Sequence, residues 1–88
     1  MDATTQIAAH LERLRSEFTE RGWTAEIQRR PGKRPRLYVR NPHSSRMSDD
    51  IVCDDRVFRW SWGQPIGPLT EAPGVAEQIM YVLREVGS

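Results

Sequence analysis

An α+β fold with the element order α-β-β-β-β-α, a four-stranded antiparallel sheet carrying two helices on one face, is the architecture this sequence predicts. Three observations lead there. Apolar residues recur at helical spacing near both ends of the chain. Between those ends, short segments set apolar residues against polar ones as half-buried strands do. Pro31-Gly32, Asn41-Pro42 and Asp54-Asp55 separate the segments, and these are turn-forming pairs. Each helix then has one apolar stripe and each strand one apolar face, so a two-layer sandwich buries them all.

The first helix is predicted from Thr5 to Arg21. Ile7, Leu11, Leu14 and Phe18 follow one another at spacings of four, three and four, while Glu12, Arg13, Arg15, Glu17, Glu20 and Arg21 fill the polar face. Thr4 or Thr5 supplies the expected cap. Gly22 stands where the helix needs a left-handed residue to stop, with Trp23 placed to fold back on the last turn.

The first strand, "WTAEIQRR", sets Trp23, Ala25 and Ile27 against Thr24, Glu26 and Gln28. A Pro31-Gly32 turn leads into the second, "RLYVRN", with Leu37 and Val39 on one face and Arg36, Tyr38 and Arg40 on the other. "NPHSSRMS" reads as a polar loop, and "DDIVCDD" as a short third strand. Asp54 and Asp55 turn the chain into the fourth, "RVFRWSW", which Gly63 and Pro65 are expected to end. The last helix begins near Ala72-Pro73, carries Val75, Ile79, Val82, Leu83 and Val86 on its apolar stripe, and stops at Gly87.

The fourth strand puts Phe58, Trp60 and Trp62 on one face and Val57, Arg59 and Ser61 on the other. Turning the rings outward would leave the second set as this strand's core contribution. Burying one large apolar side chain is worth about 1.5–3 kcal/mol, so the rings are expected inside. Trp62, nearest the strand end, is the ring expected to stay partly exposed.

Composition narrows the function classes. A chain of 88 residues is expected to form a single domain, 1–88, near the lower limit for one core, which keeps self-association open. The mean hydropathy of -0.66 implies a thin core. Cys53 is the sole cysteine, which excludes an internal disulfide and a cysteine-rich metal site and favours a reducing, cytoplasmic setting. No apolar run approaches the length needed to span a bilayer, so no membrane partner is expected.

The net charge of +1 conceals an asymmetry. Residues 1–40 hold nine Lys/Arg against five Asp/Glu, and residues 41–88 hold four against seven. The basic excess concentrates in "RRPGKRPR". Arg29, Arg30, Lys33, Arg34 and Arg36, with Tyr38 and Arg40 just beyond, are the candidate anion- or partner-binding residues. Clustered cations grip phosphates by releasing condensed counterions, and a tyrosine stacks on bases. A solvated hairpin tip accounts for the same run without a ligand. Arg59 and Trp62 are the candidate rim contacts.

No catalytic, cofactor or metal site is expected. Asp49, Asp50, Asp54 and Asp55 match no calcium loop. Carboxylates beside Cys53 disfavour a thiolate. His10 and His43 lack a Ser, Cys or Asp partner at a known spacing, and "PGKR" lacks the glycine of a phosphate loop.

In outline the chain resembles the double-stranded-RNA-binding domain. That domain's second helix begins with phosphate-holding lysines, whereas "TEAPGVAEQ" places Glu71 and Glu77 there, and a fourth strand departs from the pattern. The segments "LYVRNP" and "WSWGQPIGP", with a short Cys53 strand between them, resemble a group of short uncharacterised actinobacterial proteins. That resemblance implies no activity for any residue.

The function expected from these features is a small non-enzymatic interaction or regulatory module, with a protein as partner. Nucleic-acid binding through the basic hairpin, residues 29–40, is the alternative, and an enzyme without a recognisable motif the third reading. A homodimer formed through a sheet edge or the outer sheet face is also open.

Overall fold

The computed structural model describes residues 3–84 of the chain. It consists of α1 (Ala3–Glu20), β1 (Thr24–Gln28), β2 (Arg36–Asn41), β3 (Ser44–Cys53), β4 (Val57–Trp60), β5 (Pro65–Pro68), a 3-10 turn (Leu69–Glu71) and α2 (Ala72–Val82). The strands form one antiparallel sheet in the order β1-β2-β3-β4-β5, an uninterrupted meander. The α+β class and the helices packed on the sheet stand as the sequence predicts, with a sheet of five strands where four were expected.

The fifth strand comes from "PIGP", a segment whose glycine and prolines read as strand breakers. A four-residue loop carries the chain back from β4. Gly63 N–H donates to the Trp60 carbonyl at 2.8 Å and Trp60 N–H to the Gln64 carbonyl at 2.9 Å. Gly63 sits at φ 99°, a conformation that side chains resist, so its glycine makes the hairpin and does not end the sheet. Pro65 and Pro68 stand at the two ends of β5, an edge strand, where a missing N–H is tolerated.

The expected loop "NPHSSRMS" is also corrected. β3 already begins at Ser44, which makes it a ten-residue strand paired with β2 across a bulge at Arg40/Asn41. Its first half lacks the apolar alternation that marks a strand, since Met47 is the one apolar residue of that stretch, and it packs on the core. The turn is held by Asn41, whose buried side chain accepts from His43 N–H at 2.8 Å and donates to the Leu83 carbonyl at 3.0 Å. That second bond fastens the end of α2, which stops at Val82 and so before the expected Gly87. Val86 and Gly87 lie outside the described residues. Thr4 and Thr5 fall within α1 rather than capping it.

The other end of α1 follows the sequence closely. Trp23 N–H donates to the Phe18 carbonyl and Gly22 N–H to the Thr19 carbonyl, with Gly22 at φ 78°. The Trp23 ring folds back on Phe18, centroids 6.3 Å apart.

One sheet face supplies Ala25, Leu37, Val39, Ile51, Cys53, Phe58 and Trp60 to the core, and the helices supply Leu11, Leu14, Phe18, Val75, Ala76 and Ile79. α1 crosses β1, β2 and β3, while α2 lies beside α1 against β5. Phe58 and Trp60 are thus core, as expected. The opposite sheet face carries Glu26, Gln28, Arg36, Tyr38, Arg40, Asp50, Val52 and Arg59, with no layer over it among the described residues.

Both edge strands are guarded. Arg15 of α1 reaches to β1 and its Nε donates to the Ala25 carbonyl at 3.1 Å. At the other edge the two prolines of β5 withhold N–H donors. These features disfavour a homodimer built by strand pairing.

Candidate functional site

The β1–β2 connection builds the basic end of the molecule. Gln28 pairs with Arg36 at the last rung, and the loop between them turns where Lys33 N–H donates to the Arg30 carbonyl at 3.1 Å. Pro31 and Gly32 occupy the central turn positions, with Gly32 at φ 75°. Pro35 is buried at the loop's base. Arg29, Arg30, Lys33 and Arg34 all remain exposed, and none forms an ion pair among the described residues.

Two recesses flank this loop. On the helix side, a groove of about 650 Å³ lies between Ala8, Ala9 and Glu12 of α1 and the loop residues Arg29, Arg30, Gly32, Lys33, Arg34 and Pro35. The small side chains Ala8 and Ala9 leave the space that the loop overhangs. Toward the open sheet face, a second groove of about 560 Å³ is lined by Lys33, Arg34, Arg36, Val52, Cys53, Asp54, Arg59 and Ser61. Lys33 and Arg34 belong to both grooves, so the cations sit on the ridge between them.

The seven basic-hairpin residues divide between the loop and the open sheet face. Arg29, Arg30, Lys33 and Arg34 cluster on the loop, and Arg36 lines the second groove while pairing with Asp50 at 3.6 Å. Tyr38 stands higher on the sheet, directly across from Glu26 on one neighbouring strand and Asp50 on the other. Arg40 faces Thr24 and Ser48. Tyr38 thus has a carboxylate residue opposite it on each side, and Tyr38 and Arg40 stand on the sheet beyond the loop cations.

Arg59 has a positioning task. Its Nε donates to the Asp54 carboxylate at 2.8 Å and its Nη1 to the Gly63 carbonyl at 3.0 Å, which ties the turns at both ends of β4. Asp54 also accepts from Arg56 N–H and Val57 N–H, both at 2.8 Å. The Val57 N–H, then Arg59, then the Arg56 N–H hold its carboxyl well below the usual carboxylate range. Its contribution to stability is therefore present above that range and is lost as the pH falls toward the lowered value. This carboxylate is neutralised locally by Arg59, which limits its opposition to an anion in the second groove.

Trp62 projects from the β4–β5 hairpin loop and is 61% exposed. It stacks on Trp60 with centroids 5.1 Å apart and 3° between the planes, and its Nε1 donates to Gln64 Oε1 at 3.2 Å. One face of the indole is thus occupied by Trp60 and the other is open.

Cys53 is buried, its Sγ 3.8 Å from the Ile7 carbonyl. Burial first, and the Asp54 charge second, push its thiol up to about 11, with Arg34 opposing. In the folded protein near neutral pH the thiol is therefore expected to react with a disulfide reagent at least about tenfold more slowly than in the urea-unfolded chain. Equal rates in the two states would contradict this placement. Stability is likewise expected to decline as the pH rises from the ordinary thiol value toward about 11, since the unfolded chain ionises first.

Among the described residues no three His, Cys, Asp or Glu side chains converge as metal ligands, and no helix is long and apolar enough to cross a membrane. Three of the four aspartates serve local roles. Asp49 accepts from Ser61 Oγ at 2.8 Å, Asp50 pairs with Arg36, and Asp54 organises its turn. Sequence reasoning missed Ala8, Ala9 and Ser61 as groove walls, because small residues carry no signal until distant elements meet.

No protein-family model, no curated protein and no solved structure matches this chain.

Proposed function

We propose that this protein is a non-enzymatic binding module of the cytoplasm that engages an anionic partner through the β1–β2 loop. The observation that carries the reading is the set of four exposed loop cations, Arg29, Arg30, Lys33 and Arg34, that have no carboxylate partner among the described residues and border two grooves. Unpaired guanidinium groups present planar donor forks that match phosphate or carboxylate oxygens. A lone, buried cysteine suits a reducing compartment.

The test is an amide-shift NMR titration of the full chain with inorganic polyphosphate at two salt concentrations. Shifts are expected to concentrate at residues 29–36 and the α1 wall, with affinity weakening steeply between about 50 and 200 mM salt. Replacing Arg29, Arg30, Lys33 and Arg34 together by Ala is expected to cost at least about tenfold in affinity with the amide spectrum otherwise preserved, because these side chains are solvent-facing. Shifts scattered over α2, or an unaltered affinity in the fourfold variant, would remove the loop as the contact surface.

A further inference from the structure

We infer that the partner of this surface is a protein segment carrying a phosphorylated serine or threonine, with the phosphoryl group seated among Gln28, Arg30, Lys33, Arg34 and Arg36. The inference rests on the loop being the anion-binding surface and adds the chemical identity of the anion. Its observation is a third recess, of about 70 Å³, lined by those five residues. It shares Arg30 with the helix-side groove, Arg36 with the sheet-side groove, and Lys33 and Arg34 with both, so it lies where the two grooves meet.

Every side chain at this recess can donate: three planar arginine forks, one ammonium and the Gln28 amide. No carboxylate is among its lining residues. Arg30, Lys33 and Arg34 form no ion pair among the described residues, and the Arg36 Nη1 contact with Asp50, at 3.6 Å, is longer than a hydrogen bond. At roughly 30 Å³ per liquid water, the space suits one tetrahedral group and is too small for a nucleobase. A phosphomonoester brings a charge of about −1.5 to −2 and three acceptor oxygens near neutral pH, whereas a carboxylate or a backbone phosphodiester brings one charge and two such oxygens. A nucleotide strand spreads its single charges along its length, and donors that converge on one point serve one of them. The monoester is therefore the better match. The grooves leave room for chain on both sides of the phosphorylated residue, which a small phosphate ester would not use. Strand addition at β1 is hindered, because Arg15 occupies the Ala25 carbonyl. The phosphoryl group then supplies the anchoring contact, as it does where arginine clusters read phosphorylated segments.

The experiment titrates the full chain, followed by amide shifts, with a phosphoserine peptide of about ten residues, the same peptide with serine or glutamate in that place, free phosphoserine, a nucleoside 5′-monophosphate, a uridine oligonucleotide of about 12 nucleotides and inorganic polyphosphate. The phosphopeptide is expected to bind at least about tenfold more tightly than either control peptide, free phosphoserine or the nucleotide, and more tightly than the oligonucleotide at about 150 mM salt. Gln28→Ala, which leaves the charge untouched at an exposed position, is expected to weaken the phosphopeptide about three- to tenfold and to leave polyphosphate, held by charge, unchanged. Polyphosphate binding with the phosphorylated and glutamate peptides equal, or with Gln28→Ala indifferent, overturns this inference and leaves the anion-binding reading standing. Free phosphoserine, the nucleotide or the oligonucleotide binding as tightly as the phosphopeptide also overturns it. Failure of every probe to bind overturns both.

Discussion

Phe58→Ala is expected to destabilise the fold by about 3–5 kcal/mol, the usual cost of removing a fully buried ring. Phe58 has no exposed surface and sits in the middle of the sheet, opposite Cys53 of β3 on one side and Gly67 of β5 on the other. Neighbours on both sides belong to backbone-paired strands, so the space left by the ring has little freedom to collapse. At roughly 0.05–0.15 kcal/mol per residue, the whole chain has about 4–13 kcal/mol to lose, so the variant is expected to forfeit from about a quarter of its stability to all of it. Urea unfolding followed by circular dichroism measures it. The midpoint should fall sharply with the slope unchanged, and Trp62→Ala, which removes an exposed ring, should move it far less. A loss below about 1 kcal/mol in Phe58→Ala would show that this core does not depend on the ring.

The second large effect is expected at Gly67, where the difficulty is the reverse. A Cβ added at this position would lie 2.9 Å from the Cγ2 of Val75 on α2. Val75 is buried and β-branched, with one favoured rotamer in a helix, so it has little means of yielding. Gly67→Ala is expected to cost about 1–3 kcal/mol, the range for an overfilled core. The companion change Val75→Ala removes the clashing methyl. In the double variant the cost of Gly67→Ala should largely vanish, and the shortfall from additivity measures the contact. Additive losses would mean that the close approach of α2 to β5 does not set the packing.

Gly67 also shows why one part of the fold escaped the sequence. In "GQPIGP" the glycines and prolines carry the local signature of a stop, yet each has a tertiary use. Gly63 makes the return loop, Gly67 lets α2 approach, and the prolines occupy an edge strand. The first half of β3 was hidden for a different reason. Ser44 and Ser48 pair through their backbones with Asn41 and Arg40 of β2, and backbone pairing leaves no pattern in side-chain polarity. What was legible was local or strongly periodic. The Gly22 stop with Trp23 on Phe18, the Leu11–Leu14–Phe18 stripe and the inward Phe58 and Trp60 all follow from spacing alone.

The candidate site divides along the same line. Its cations are contiguous in sequence and were visible as a run, whereas the grooves need Ala8 and Ala9 from α1 and Ser61 from beyond β4. Tyr38 was grouped with the cations through its proximity in sequence. The register instead places it between Glu26 and Asp50, a neighbourhood that only cross-strand pairing reveals.

The guarding of the two edge strands has a consequence for how this molecule meets others. With the Ala25 carbonyl taken by Arg15 and prolines at both ends of β5, the main chain offers little template for an incoming strand. Amyloid-like stacking is thereby discouraged. Any partner is then met through side chains and not through an added strand, and the surface side chains can change while the scaffold stays as it is.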